Sequence, residues 1–180
     1  MNLTFANQKT SIKDYVTKKL PYSLSDAPCP AWDELVSTLY DPSEKRKIEW
    51  AIGSIISGDS KYIQKFVVLY GQAGTGKSTI LNIIQQLFQG YYCIFDAKSL
   101  ANSSNQFSRE VFKNNPLVAI QHDGDLSHIE DNTKLNSIIS MILNCTNENN
   151  ISILLSDNIF SISGSQPAHV LLAKCKIKMT

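Results

Sequence analysis

The stretch GQAGTGKS, residues 71–78, constrains the fold of this chain more than any other feature. An apolar run, FVVLY, comes directly before it. The segment TILNIIQQLF follows it, with apolar residues at helical spacing. The pattern predicts a buried strand, a tight glycine-rich turn and a helix, in that order. Because glycines allow positive φ angles, backbone N–H groups in such a turn can approach an anion at the helix N-terminus closely. We expect the turn to bind phosphate.

The same residues match the P-loop pattern Gly-x4-Gly-Lys-Ser/Thr. The ammonium group of Lys77 should reach the β- and γ-phosphates of a nucleotide, and the hydroxyl of Ser78 should bind Mg²⁺. The alternative is a chance glycine-rich turn, but the strand before it and the helix after it favour a site for ATP and Mg²⁺. The predicted nucleotide-binding residues are Gly71, Gln72, Ala73, Gly74, Thr75, Gly76, Lys77, Ser78 and Thr79.

A nucleotide site of this kind needs a carboxylate at the end of a neighbouring strand to hold Mg²⁺. In LVAIQHDGDLS, four apolar residues lead out through Gln121 and His122 to Asp123. We predict that Asp123 holds the metal together with Ser78, and that Asp125 holds the metal or orients the attacking water. The predicted catalytic residues are Lys77, Asp123 and Asp125. His122 could also point into the site, although a single histidine at a strand end is more often structural, and Asp-Gly is also a common turn.

Predicted strands and helices alternate along the chain, which favours an α/β fold with a parallel sheet flanked by helices. A short N-terminal region, residues 30–57, is predicted to form a pair of helices, the second starting at Asp41-Pro42. The predicted strands are 66–70, 91–95 and 116–120, with 151–155 and 169–173 as further candidates, and the predicted helices are 77–89, 104–115 and 131–143. We divide the chain into a helical lead-in (1–58), a P-loop ATPase core (59–140) and an atypical tail (141–180).

Composition narrows the function classes. The chain has 180 residues, enough for one well-packed domain, and its net charge of +1 provides no overall basic field for nucleic acid. The four cysteines form no CxxC pair, as expected for reduced thiols in the cytoplasm. We find no apolar N-terminal signal stretch and no apolar run near about 18 residues, so we expect no signal peptide, no transmembrane helix and no membrane contact.

Three stretches together resemble the superfamily 3 helicase domain of phage, plasmid and poxvirus-type primase–helicases: AIGSIISGDS, KFVVLYGQAGTGKSTILNII and NPLVAIQHDGDLSHIEDNTKLNSIIS. The segment YVTKKLPYSLSDAPCPAW is similar to the region that precedes the motor in those proteins. The resemblance implies an AAA+-like fold, a hexameric ring around DNA, contact with single-stranded DNA, and ATP-driven unwinding in the cytoplasm of an infected or mobile-element-bearing cell. It makes Gly71, Gly76, Lys77 and Ser78 the Walker A residues and places Asp123 with Asp125 in the Walker B region. Primase activity is expected on another domain or chain.

The resemblance stops at Met141. In that family a later strand ends in a polar sensor, usually Asn, and an arginine-bearing segment completes the neighbour's ATP site. Asn158 and Gln166 are the candidate sensors here, and either could equally be a loop residue. No arginine follows Arg109, so the arginine finger, worth about 10³–10⁵ in rate, is missing. A shift of the reading frame after Ser140 would explain the break, because it would restore the family's next residue types.

Two functions of different classes stay open at this point. The first is the ATP-hydrolysing motor of a DNA replication helicase. The second is a truncated ATP-binding remnant with little or no hydrolysis, which acts, if at all, by assembling with intact subunits. A small P-loop kinase is less favoured, because such enzymes clamp phosphates with arginines, and Arg46 and Arg109 do not cluster.

Overall fold

The computed structural model describes residues 19–23, 25–57, 63, 65–96, 110–124, 152–157 and 169–174. For residues 65, 123 and 124, and for the last two ranges, it describes the backbone.

Two helices open the described chain, α1 over Pro30–Leu39 and α2 over Pro42–Ser57. Asp41 caps the second helix, since its carboxylate accepts the backbone N–H groups of Ser43 at 2.8 Å and Glu44 at 3.1 Å. The buried residues of α2 include Ile48, Ala51 and Ile55, three and four positions apart, so one stripe of the helix faces the core. The predicted helical pair is confirmed.

The remaining elements are a third helix, α3 over Lys77–Leu87, and five strands. The strands are β1 (Lys65–Tyr70), β2 (Tyr92–Ile94), β3 (Val118–Gly124), β4 (Ser152–Asp157) and β5 (His169–Lys174). They form one sheet in the order β2-β3-β4-β1-β5. The pairs β2–β3, β3–β4 and β4–β1 are all parallel, and α3 connects β1 to β2. The predicted α/β fold is confirmed.

One strand departs from the predicted parallel sheet. The edge strand β5 runs antiparallel to β1, with His169 opposite Tyr70. Asp157, the last residue of β4, is also opposite Tyr70, on its other side. The chain therefore leaves β4 and enters β5 at the same end of the strands, the carboxyl end of β1. A parallel β5 would require a return to the far edge, and such crossovers usually take a dozen residues or more.

The segment before β3 also differs from the sequence prediction. Of the helix predicted over 104–115, the described part contains a single 3₁₀ turn at residues 110–112, and Asn115 has a φ of 47°. A left-handed residue followed by Pro116 ends helical structure at this point. As a result β3 begins two residues later than predicted and continues four residues further, to Gly124. The helix predicted over 131–143 lies outside the described residues.

The main core lies between one face of the sheet and the helices. Val67 and Leu69 of β1, with Val118 and Ile120 of β3, belong to a buried cluster that also contains residues of α1, α2 and α3. We call this the helix-covered face. Alternate residues of the same strands, including Phe66, Val68 and Ala119, are buried on the opposite face.

Candidate functional site

The predicted phosphate loop forms the connection between β1 and α3. Its three glycines, Gly71, Gly74 and Gly76, have φ angles of 147°, 81° and 81°. Gly76 immediately precedes α3, and a Cβ atom at this position would lie 2.6 Å from Leu39 Cδ1, at the end of α1. Both the left-handed backbone and the close approach of Leu39 therefore require glycine here.

Lys77 is folded back onto this loop. Its side chain is only 4% exposed, although a lysine is rarely buried. Its Nζ donates to the carbonyl oxygens of Gly71 at 2.8 Å and Gln72 at 2.6 Å, and to Thr75 Oγ1 at 3.3 Å. The hydroxyl of Thr75 in turn donates to the Gln72 carbonyl at 2.8 Å. The loop thus surrounds an ammonium group with its own oxygen atoms.

The rest of the loop faces solvent. Gln72, Ala73 and Gly74 at its tip are exposed, as are Ser78 and Thr79 in the first turn of α3. The first N–H groups of a helix have no partner within the helix, and they carry its partial positive charge. This surface combines the backbone N–H groups of the helix start, two hydroxyl groups and the ammonium group of Lys77, a set that suits a polyphosphate.

The predicted acidic residue lies near the same edge of the sheet. Asp123 is in the last part of β3, where the register changes: Gln121 pairs with Leu155, but Gly124 pairs with Asp157. Three steps along β3 therefore match two along β4, so a β-bulge contains Asp123. Bulges are frequent beside active sites, where they redirect a side chain. Asp125 lies outside the described residues.

The strand β4 separates the two predicted motifs. Asp157 is in register with Tyr70, which precedes the loop, and with Gly124, which follows Asp123. The backbone therefore brings the loop and Asp123 to one edge, two strands apart. Asn158 comes directly after β4, but it and Gln166 lie outside the described residues.

The side chain of His122 faces α3 and has a hydrogen-bond partner there. Its Nε2 is hydrogen-bonded to Nε2 of Gln85 on α3, and because an amide nitrogen can only donate, the ring nitrogen accepts. This contact, on the helix-covered face, gives His122 a structural partner.

Four site-related features were missed by sequence reasoning. The contact of Leu39 with Gly76 has no local sequence signal, because 37 positions separate the two residues. Next to Leu39, burial and the charge of Glu44 raise the pKa of Tyr40 to about 12, so its phenol stays neutral. Gln121 is buried one step before the bulge, and its polar character within an apolar run was the available signal. The central position of Asp157 in the sheet was also unforeseen.

Within the described ranges, no helix has the length and apolar character needed to cross a membrane. The same residues contain no group of three or more His, Cys, Asp or Glu side chains placed to hold a metal ion.

Comparison with known proteins gives few relatives. No curated protein matches the sequence. Among solved structures, C. elegans PCH-2 matches with a TM-score of 0.48 and 15% sequence identity. The match covers 80% of this chain and 47% of that one, so the chain spans about half the length of this neighbour. A likeness of this size establishes neither fold nor function.

A family model, described as a family of unknown function (DUF5906), matches residues 69–158, which is 90 of the 180 residues. The match includes the phosphate loop, β3 and β4, and it continues past Ser140. The frame shift after Ser140 stays a prediction, which the DNA sequence would test. The chain belongs to the DUF5906 family, a family of unknown function.

Proposed function

We propose that this protein binds a nucleoside triphosphate, ATP, together with Mg²⁺ at the loop formed by residues 71–79. The observation that carries this proposal is the buried ammonium of Lys77, held on the Gly71 and Gln72 carbonyls at the junction of a parallel strand and a helix. From that position a rotation of the flexible lysine side chain brings Nζ toward a phosphate that rests on the N–H groups of the loop.

Each part of the site has a defined task under this proposal. The loop N–H groups and the start of α3 hold the β-phosphate, and Lys77 offsets the negative charge of the β- and γ-phosphates. The hydroxyl of Ser78, which is exposed at the helix start, and the carboxylate of Asp123 would hold Mg²⁺. Hydroxyl and carboxylate oxygens are ligands that Mg²⁺ prefers. The bound ion would supply further neutralisation of phosphate charge.

We further propose that the ATP site drives a DNA replication motor of the primase–helicase type in a virus or mobile element. The sequence resemblance to superfamily 3 helicases supports this proposal. The partners would be single-stranded DNA, identical subunits in a hexameric ring, and a primase on another domain or chain.

A specific observation also favours ATP binding without hydrolysis. The sequence has no arginine after Arg109 to complete a neighbour's site. Arg46, the arginine that the structure describes, lies on α2, where its Nε donates to the Pro42 carbonyl at 3.3 Å. If the chain acts alone, a nucleotide would be held but turned over slowly.

The experiment that tests nucleotide binding compares the wild type with Lys77→Ala. A ligand at a hundred times its Kd stabilises the native protein by about 2.7 kcal/mol. We expect MgATP to raise the unfolding midpoint of the wild type and to leave that of Lys77→Ala unchanged. Lys113→Ala is the matched control, because Lys113 is exposed and pairs with Glu110 at 2.9 Å. Equal protection of wild type and Lys77→Ala would show that the loop is not the site.

The motor and the binding-only alternatives are separated by turnover. ATP hydrolysis is measured with and without single-stranded DNA, alongside the assembled mass of the purified chain. Turnover that rises with DNA, in a particle of hexamer size, would support the motor. Protection by MgATP with no turnover, in a monomer, would support the binding-only function.

A further inference from the structure

A glutamine occupies β3 where the surrounding residues are apolar. Val118, Ala119 and Ile120 are fully buried, and Gln121, the next residue, is only 5% exposed. Its Oε1 has no hydrogen-bond partner among the residues that the structure describes. A buried polar oxygen without a partner costs free energy. Such a group therefore requires an explanation, and one explanation is a bound ligand or water molecule.

The position of Gln121 relates it to the proposed phosphate site. It pairs with Leu155 of β4, which pairs with Val68 of β1. Two residues further along β1 and β4 lie Tyr70 and Asp157, at the edge where the loop begins. The end of β4 at Asp157 is two residues further along and one strand across from Gln121, about 8 Å by strand geometry, a gap that a glutamine side chain and one bound water can span. The bulge that contains Asp123 begins immediately after Gln121.

Gln121 and His122 differ in how their polar groups are satisfied. His122 lies on the helix-covered face and is hydrogen-bonded to Gln85. Gln121, one residue earlier, lies on the opposite face with Val68 and Ala119. The carboxamide oxygen of Gln121 lacks a partner among the described residues. Gln121, rather than His122, is therefore the candidate for binding a water molecule or a ligand.

We propose that Gln121 is a water-positioning residue of the ATP site: its buried carboxamide holds the water molecule that attacks the γ-phosphate. The inference rests on the function proposed above and adds a residue to it. A glutamine carboxamide can orient an attacking water in nucleotide hydrolysis, because it accepts a hydrogen bond without taking the proton.

Hydrolysis of the γ-phosphate requires only ATP and the bound water as reactants. The water oxygen forms a bond to the γ-phosphorus, and the bond from that phosphorus to the β,γ-bridging oxygen breaks. The electron pair of the broken bond stays on ADP. The water proton leaves on inorganic phosphate or passes to solvent, and Gln121 is unchanged at the end of the step.

The test uses Gln121→Leu, which removes the carboxamide at similar volume, with Gln121→Met as a second variant of unbranched shape. A variant that removes only an unsatisfied buried oxygen should be at least as stable to urea as the wild type. Ile120→Val is the matched control on the same strand. It loses core packing on the helix-covered face, so it is less stable, but it keeps the proposed water site.

The main readout is the tightening of MgADP binding by aluminium fluoride, which mimics the transferred phosphoryl group and does not depend on turnover. Since transition-state analogues bind more tightly than ground-state ligands, we expect about tenfold tightening or more in the wild type and in Ile120→Val. In Gln121→Leu and Gln121→Met we expect unchanged MgADP affinity and less than about twofold tightening.

The remaining outcomes are distinct. Full tightening in the Gln121 variants would overturn the proposal and leave ATP binding intact. No tightening in the wild type would also overturn it, since the chain would then form no arrangement for the attacking water. If the wild type binds neither MgATP nor MgADP, the proposed function itself fails. A large loss of stability in both Gln121 variants with full tightening would mark the residue as purely structural.

Discussion

The contact between Leu39 and Gly76 predicts a specific cost for Gly76→Ala. Gly76 has a φ of 81°, and an alanine forced into this left-handed region costs about 1–2 kcal/mol. The new Cβ would also lie 2.6 Å from Cδ1 of Leu39, 3.0 Å from Cδ2 and 3.2 Å from Cγ. Crowding of this kind costs about 1–3 kcal/mol, and it tends toward the lower end because the leucine methyl groups can move. We therefore expect Gly76→Ala to lower the free energy of unfolding by about 2–4 kcal/mol.

A double-mutant cycle with Leu39→Ala separates the two costs. Shortening Leu39 removes the crowding but leaves the backbone strain, so Gly76→Ala should cost only about 1–2 kcal/mol in that background. Urea unfolding followed by tryptophan fluorescence measures each step, because Trp32 and Trp50 lie on α1 and α2 and report the loss of the folded helices. Gly53→Ala is the control, since a Cβ there meets nothing within 4 Å. At this exposed position of α2, Gly53→Ala should stabilise the protein by about 0.8–1 kcal/mol.

Two results would refute this reasoning. If Gly76→Ala costs the same with and without the Leu39 side chain, within about 0.5 kcal/mol, the end of α1 does not contact the loop. If Gly76→Ala is as harmless as Gly53→Ala, Gly76 does not adopt the left-handed conformation at all.

Three further predictions concern metal, thiol and acid behaviour. Asp123→Asn should keep much of the ATP affinity but lose its dependence on Mg²⁺; titration of ATP with and without Mg²⁺ checks this, and a surviving dependence would mean that another carboxylate holds the metal. Burial raises the pKa of the Cys93 thiol to about 12, so in the native protein a thiol reagent should modify exposed Cys29 far faster, and equal rates would contradict the burial of Cys93. The backbone N–H groups of Glu44 and Ser43 hold the pKa of Asp41 below 3.8, so its stabilisation of α2 is fully present above that pH and is lost as the pH falls through the lowered pKa. Asp41→Ala should therefore be less stable than the wild type at pH 7 and approach it in stronger acid, as measured by urea unfolding at each pH.

Local signals predicted most elements well. The cap at Asp41, the apolar stripe of α2 and the order of strand, glycine turn and helix all appear where the sequence placed them. These features depend on residues at most a few positions apart, so propensity and periodicity are sufficient to find them.

Boundaries were less well predicted where a backbone constraint competed with the pattern. Pro116 and the positive φ of Asn115 delay the start of β3, although residues 116–120 are apolar throughout. At its other end β3 runs through polar residues, because pairing with β4 continues to Gly124. Apolar character alone could not indicate either limit.

The amino-acid sequence by itself determined the local structural elements of this protein. These are a glycine-rich loop with Lys77 and Ser78 between a strand and a helix, and an acidic residue, Asp123, after the apolar run 116–120. Only the tertiary structure decided how these parts meet. In the folded protein β4 lies between these two parts, and β5 runs antiparallel to β1. Leu39 contacts Gly76, and Gln121 is buried beside the bulge. The physical reason is that strand pairing and side-chain packing join residues far apart in the chain, and no single stretch of sequence contains both partners.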